Sequence, residues 1–259
     1  MLSLPGRRRS PAATAATAAS VVAAALLVAG CAGDPAAVPA PRGPADLVLT
    51  ASQLPPGYTS APLAVADLVT GNQAAIDASR SARVTPEYCD PTSDAALNKQ
   101  LTSDNSAVLA ARDGATGALV ELVTTAPRDI DADRLTTTGR CARTTTDITT
   151  GHLAGSRVVT EFTELPPPDV DGGLLPGEQM LLTRSDVTTT LTDGGVRRQI
   201  GFAGYAVLDR PASGPVTVQL TVSGAPTRAT NPPTAPVEPI DPAAFSALFD
   251  TAVEQVTTP

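Results

Sequence analysis

The chain has 259 residues and a formal net charge of −8, from 18 basic and 26 acidic side chains. Aromatic residues make up only 3% of it, and Trp is absent. An acidic chain with so few aromatic rings lacks the positive charge and the stacking surfaces that nucleic-acid binding requires. The composition therefore excludes a nucleic-acid binder. Its length suits one folded domain with flanking segments.

Residues 1–30 have the features of a bacterial lipoprotein signal peptide. Three arginines at positions 7–9 precede an apolar stretch of small residues that ends in Val28-Ala29-Gly30-Cys31. A secretory signal requires positive charge, then an apolar segment, then small residues at the cleavage site. A Cys directly after the cut resembles the lipobox, in which that Cys is acylated and becomes the N-terminus. We therefore expect Cys31 to carry acyl chains such as palmitate and to hold the protein on the extracytoplasmic face of the cell membrane.

An uncleaved helical anchor with an incidental Cys is the alternative, although the apolar run is short and Ala-rich for a membrane-spanning helix. The pair Arg8-Arg9 leaves the export route open between the Sec and Tat systems. Residues 31–45 contain repeated Pro and little apolar bulk, which is typical of a flexible tether. The folded domain is expected over residues 46–257.

Two cysteines remain once Cys31 is lipidated, Cys89 and Cys141. Free thiols are uncommon in an oxidising compartment, so the pair is predicted to form a disulfide. Two cysteines and the single His of the chain do not make an obvious structural zinc site. The sequence thus predicts no metal and indicates no cofactor.

The first half of the domain is predicted to contain a strand, three helices and a hairpin. The strand is expected over residues 61–69, and the helices over residues 72–82, 93–101 and 129–142. Alternating apolar residues over 106–111 and 119–125 flank a loop with two glycines, which predicts the hairpin.

The second half reads mostly as strands, expected over residues 158–162, 179–184, 186–191, 196–208 and 216–222. A final helix over 242–256 has Asp241 as its cap, Pro242 in its first turn and an apolar stripe at helical spacing. Hairpins combined with few helices predict an α+β fold, a single antiparallel sheet with helices packed mainly on one face.

Candidate catalytic groups are few. Ser103-Asp104-Asn105 matches one motif of the penicillin-binding enzymes, but the only Lys of the chain, Lys99, fits neither of the lysine motifs that those enzymes need. A hydrolase would have to use His152, which lies in a turn-like stretch and is more simply read as a solvated side chain. We therefore predict no catalytic residues and no enzyme activity.

Two acidic runs invite comparison with calcium loops. Asp129, Asp131 and Asp133 have the right initial spacing, but Arg134 and Arg140 stand where Gly and the last Glu belong. The run at 169–171 lacks a later carboxylate at the right distance. Helix capping or solvation of a turn is the simpler interpretation of both.

The order of these features resembles a known group of proteins. A lipobox and tether precede Leu54-Pro55-Pro56-Gly57-Tyr58, a Pro86-Glu87-Tyr88-Cys89 segment, Gly139-Arg140-Cys141-Ala142 and a C-terminal amphipathic helix. This is similar to actinobacterial (mycobacterial-type) lipoproteins related to the extracellular sensor domain of the PknH kinase. The resemblance implies a sheet with a broad cleft that binds a ligand without catalysis. It also implies two disulfides, whereas this chain can form one.

The sequence thus predicts a lipid-anchored binding or sensor-like lipoprotein of the cell envelope. Its partner, apart from the membrane, would be a small molecule, a lipid or an envelope protein, and the sequence identifies no ligand-binding residue. A carrier of envelope lipids or glycolipids is the alternative, and it would need an apolar cavity in the core. A hydrolase built on His152 is the third hypothesis.

Overall fold

The computed structural model describes residues 42–89, 93–114, 117–168, 178–210, 214–229 and 236–258. The predicted signal peptide, Cys31, most of the tether and the acidic run at 169–171 lie outside these residues. Among the described residues, no helix is both long and apolar enough to cross a membrane.

A single antiparallel sheet of ten strands organises the described part of the chain. The strands are β1 (Thr59–Ala61), β2 (Arg83–Thr85), β3 (Ser106–Asp113), β4 (Gly117–Thr124), β5 (Arg143–Asp147), β6 (Arg157–Leu165), β7 (Gln179–Thr190), β8 (Val196–Arg210), β9 (Gly214–Gly224) and β10 (Thr227–Arg228). Their order is β1-β3-β4-β9-β8-β7-β6-β5-β2, and the short β10 pairs with the start of β8. The predicted class, α+β with one antiparallel sheet, is confirmed.

Four helices accompany the sheet in the described residues: α1 (Val65–Arg80), α2 (Ser93–Asn98), α3 (Ile130–Thr136) and α4 (Pro242–Thr257). Helix α4 begins as the sequence predicts. The Asp241 side chain accepts hydrogen bonds from the backbone N–H groups of Ala243 and Ala244, and Pro242 occupies the first turn.

Helix α4 covers one face of the central strands and forms the main core there. Phe245 and Phe249 of α4 are fully buried, and Phe245 stacks on Phe202 of β8 with ring centroids 5.3 Å apart. Gly204 lets the helix approach, because a Cβ atom at that position would lie 2.5 Å from the Phe249 ring. Even-numbered residues of β8 therefore face α4, and odd-numbered residues face the other side.

The opposite face carries the three other helices. Helices α1 and α2 pack over β3 and β4 around a second apolar cluster that includes Leu97, Leu101 and Leu122. Helix α3 crosses β7 and β8. The helices of the described residues are thus divided between both faces of the sheet, and the predicted packing mainly on one face is not clear.

Four predicted elements differ from the structure. Residues 65–69 belong to helix α1 instead of a strand, since Val65, Leu68 and Val69 pack together against the second cluster at helical spacing. The helix predicted over 129–142 ends at Thr136, and the polar β5 that follows Cys141 was not predicted. The strands predicted over 179–184 and 186–191 are one strand, β7.

Candidate ligand-binding cavity

A cavity of about 420 Å³ lies on the sheet face opposite α4, over strands β5 to β9. Side chains with hydroxyl groups line most of its floor: Thr144, Thr146, Thr160, Thr183, Ser185, Thr221 and Ser223. They stand at alternate positions of their strands, and the register of neighbouring strands places them on the same face. Strands β5, β6, β7 and β9 therefore contribute hydroxyl groups to one surface, although more of the cavity lining as a whole is apolar than polar.

Strand β8 contributes small residues to the floor of the cavity. Gly201 and Ala203 line the cavity, and a Cβ atom at Gly201 would lie 2.9 Å from the Ser185 Oγ atom. Small side chains on a central strand leave space that the flanking strands enclose. The sheet itself, being hydrogen-bonded on both sides of β8, makes this floor rigid.

The walls of the cavity come from α3 and from the segment around β2. Thr136 and Thr137 contribute from the end of α3, and Cys89 from the segment after β2. Cys89 is bonded to Cys141, with Cα atoms 5.6 Å apart, so the predicted disulfide is confirmed. The bridge fastens the segment after β2 to the chain between α3 and β5 and thereby fixes two walls relative to each other.

Arg128 lies at one end of the cavity, and its side chain is only 2% exposed. Its Nε and Nη2 atoms donate to the two carboxylate oxygens of Asp133, at 2.6 and 3.1 Å. Nη2 also donates to Asp94 of α2 at 2.8 Å, and Nη1 donates to Gln219 of β9 at 3.0 Å. The guanidinium carbon lies 4.1 Å from the centre of the Tyr205 ring. Arg128 thus ties α2, α3 and the sheet together.

Burial and charge have opposite effects on Arg128. Burial alone disfavours the guanidinium charge, but interaction with Tyr205, Asp94 and Asp133 outweighs it, so the pKa of Arg128 is raised. Burial raises the pKa of Tyr205, because it disfavours the charged tyrosinate. The positive charge of Arg128 opposes this rise only in part. Both side chains therefore keep their protons at all physiological pH values. Arg128 acts as a fixed charge, and neither group is suited to proton transfer at neutral pH.

A smaller cavity of about 140 Å³ lies next to this cluster, between α1, α2, β4 and β9. Asp94 and Gln219 line it from the Arg128 side. Asn98 of α2 is buried there, and its Nδ2 atom donates to the Val69 carbonyl oxygen at 3.1 Å. Its Oδ1 atom has no hydrogen-bond partner among the described residues. This space is of a size to hold ordered water beside the buried amide.

The other candidate residues from the sequence are not gathered at the cavity. His152 is exposed in a 3-10 turn, Gly151–Leu153, and does not line it. The Asn105 side chain accepts from the backbone N–H of Thr102 at 2.9 Å and so shapes a turn. We find no catalytic role for Ser103-Asp104-Asn105 in these contacts.

The acidic run at 129–133 has separate structural roles. Asp129 accepts a hydrogen bond from the Ala132 backbone N–H and caps α3. Asp131 lies at the surface, 3.4 Å from Arg134, while Asp133 is bound to Arg128. The described residues include no group of three or more His, Cys, Asp or Glu side chains that could hold a metal ion.

Sequence reasoning did not single out Arg128, Asp94, Tyr205 or the hydroxyl floor. The sequence does contain a signal for the hydroxyl floor. Thr or Ser residues stand two positions apart at 144/146, 183/185 and 221/223, and residues with this spacing share a face in any strand. No comparable signal exists for Arg128. Its partners lie 5, 34 and 91 residues away along the chain, and only the tertiary structure brings them together.

Comparison with known proteins finds no family model, no curated protein and no solved structure that matches this chain.

Proposed function

We propose that this chain is a lipid-anchored, non-catalytic binding module of the cell envelope, sensor-like in kind, whose ligand binds in the cavity beneath α3. The observation that carries the proposal is the cavity itself. It is concave, of a volume usual for small-molecule sites, and its polar groups are fixed by the sheet, the disulfide and the Arg128 cluster. Such a pre-formed site loses little conformational entropy when a ligand binds.

The anchoring part of the proposal depends on the sequence. The charged start, the apolar run and Cys31 favour acylation at the membrane, and a disulfide between Cys89 and Cys141 is in keeping with an oxidising compartment. The resemblance to lipoproteins related to the PknH sensor domain supports the same location. An open cleft on an antiparallel sheet agrees with what that resemblance implies.

The lipid-carrier alternative receives less support from this cavity. A carrier would hold acyl chains in an apolar space within the core, whereas this cavity lies on the face of the sheet and has a floor of hydroxyl groups. The hydrolase alternative also receives no support, because exposed His152 has no catalytic partners beside it in the described contacts.

The location is tested by native mass spectrometry of the full chain, expressed with its leader in an actinobacterium and extracted from membranes. We expect the mass of a chain that begins at Cys31, carries acyl groups and has Cys89 and Cys141 oxidised. Cys31→Ser should carry no acyl groups. A wild-type chain whose mass shows no acyl group on Cys31 would contradict lipid anchoring.

The cavity is tested by filling it. Ala203→Phe places a ring over the floor, while Thr163→Phe adds the same ring at an exposed position on the other face of β6. Small molecules extracted from the envelope are offered to each variant and detected by ligand-observed NMR. We expect molecules that bind the wild type and Thr163→Phe but not Ala203→Phe. Equal binding to all three, or none to any, would exclude this cavity as the site.

A further inference from the structure

The electrostatics of the cavity restrict the charge of its ligand, given the binding role proposed above. Arg128, Asp94 and Asp133 are the charged residues among those that line it in the described structure. Four of the five N–H donors of Arg128 are used within the cluster, and its face is covered by Tyr205. Two carboxylates outweigh one guanidinium, so the local charge is negative. A phosphate or carboxylate would find net repulsion from these three residues.

The hydroxyl floor is suited to a ligand that donates hydrogen bonds. The hydroxyls of Thr183, Ser185 and Thr221 donate to backbone carbonyl oxygens over 3.3 to 3.4 Å, which leaves their oxygens as acceptors. A threonine or serine hydroxyl has two acceptor lone pairs and one donor. Ligand hydroxyl groups would complement such a surface, because each can donate a hydrogen bond to one of these oxygens.

An apolar surface lies beside the hydroxyl groups. Phe162 of β6 is partly buried and turns its ring to the cavity, and Val84 of β2 lines the wall near the disulfide. The C–H face of a sugar ring packs on an aromatic ring of this kind while its hydroxyl edge remains free to form hydrogen bonds.

We infer that the cavity binds a polyhydroxylated ligand without negative charge, a free sugar or the exposed sugar end of an envelope glycan. The sugar would lie with its apolar face on Phe162 and its hydroxyl groups against the threonines and serines of β5, β6, β7 and β9. Specificity against anionic sugars would come from Asp94 and Asp133, whose charge exceeds that of Arg128.

The charge preference is tested with matched saccharides. Uncharged oligosaccharides of glucose, mannose, galactose and arabinose are compared with their uronate- or phosphate-bearing counterparts, by saturation-transfer NMR and calorimetry. The same sugars on a lipid carrier in vesicles distinguish a glycan end from a free sugar. We expect binding of at least one uncharged series and at least tenfold weaker binding of its anionic counterparts.

The site is assigned with a matched pair on strand β6. Thr160→Val removes a floor hydroxyl and keeps the side-chain volume, while Thr163→Val makes the same change on the exposed opposite face. Thr160→Val should weaken binding of the uncharged sugar about fivefold, the effect of one lost hydrogen bond, and Thr163→Val should not. Phe162→Ala should weaken it further, with thermal unfolding as the check on folding.

Each outcome has one meaning. Binding of an anionic sugar in preference to the uncharged one, lost in Ala203→Phe, overturns the inference and keeps the proposed binding function. Sugar binding that Thr160→Val and Ala203→Phe leave unchanged places the sugar elsewhere and also overturns it. The remaining outcome is that no saccharide binds, while a molecule from the envelope extract binds the wild type and not Ala203→Phe. In that case the module binds another class of ligand.

Discussion

Glu121 is the most unusual single residue of the core. It lies on β4 facing α4, is fully buried, and its Oε2 atom accepts a hydrogen bond from the Leu49 backbone N–H at 2.8 Å. The Oε1 atom has no partner among the described residues. Burial raises the pKa of Glu121 to about 7, and the Leu49 hydrogen bond opposes this only in part. The carboxyl is therefore protonated in mildly acidic solution and ionises near neutrality.

This raised pKa makes stability depend on pH. Between pH 4.5, the ordinary value for Glu, and about pH 7, the unfolded chain has lost this proton and the folded chain has kept it. Stability therefore falls as pH rises through this range, by about 3 kcal/mol from Glu121 alone. Urea unfolding at a series of pH values should show this slope in the wild type and not in Glu121→Gln. Glu254→Gln, at an exposed position of α4, should keep the wild-type slope.

The test for Glu121 is the slope and not the absolute stability. A Gln side chain brings two N–H donors into a space where Oε1 has no partner, so the variant loses some stability at every pH. If Glu121→Gln and the wild type keep parallel pH profiles from about pH 4.5 to 7.5, Glu121 does not carry the raised pKa.

Arg128 should show the energetics of a buried ion pair. Arg128→Met leaves the Asp133 carboxylate, 4% exposed, without its main partner and should cost about 3 to 5 kcal/mol. Arg128→Met combined with Asp133→Asn removes both charges and should recover part of that loss, which urea unfolding of the three variants measures. A double variant no more stable than Arg128→Met would show that the charge left on Asp133 is not the cause of the loss.

At the scale of elements, substitutions at two glycines show separately how packing and how backbone preference affect stability. Gly204→Ala directs a Cβ atom to within 2.5 Å of the Phe249 ring and should destabilise the α4–sheet contact by about 1 to 3 kcal/mol. Gly71 lies in the interior of α1, and a Cβ atom added there would meet no other atom within 4 Å. Gly71→Ala should therefore stabilise the protein by about 0.5 to 1 kcal/mol. Thermal unfolding of both variants checks the opposite signs.

Elements with a strong local pattern were predicted well. Helix α4 has a capping Asp, a first-turn Pro and a regular apolar stripe, and the hairpins β3–β4 and β7–β8 have alternation around loops with Gly. The errors fall on short or polar segments. The run Val65–Val69 is too short for its periodicity to decide between strand and helix, and β5, with the sequence Arg-Thr-Thr-Thr-Asp, has no apolar residue.

At the scale of the whole molecule, the disulfide is the strongest constraint between distant segments. It joins residues 52 positions apart and fixes two walls of the cavity. The double variant Cys89→Ser/Cys141→Ser should lose about 4 kcal/mol of stability, since the unfolded chain regains the entropy of an open loop. Urea unfolding measures the loss, and ligand-observed NMR should show weaker binding in the cavity. Unchanged affinity in the folded double variant would mean that the bridge stabilises the fold without shaping the site.

The sequence by itself determined the class of fold, the disulfide partners and the expectation of a lipid anchor at Cys31. These follow from local patterns and from cysteine number, which do not depend on how distant segments meet. The cavity, the Arg128 cluster and the burial of Glu121 could be seen only in the tertiary structure. Each depends on the register of strands and on contacts such as Arg128 with Gln219, 91 residues apart, which local periodicity does not encode.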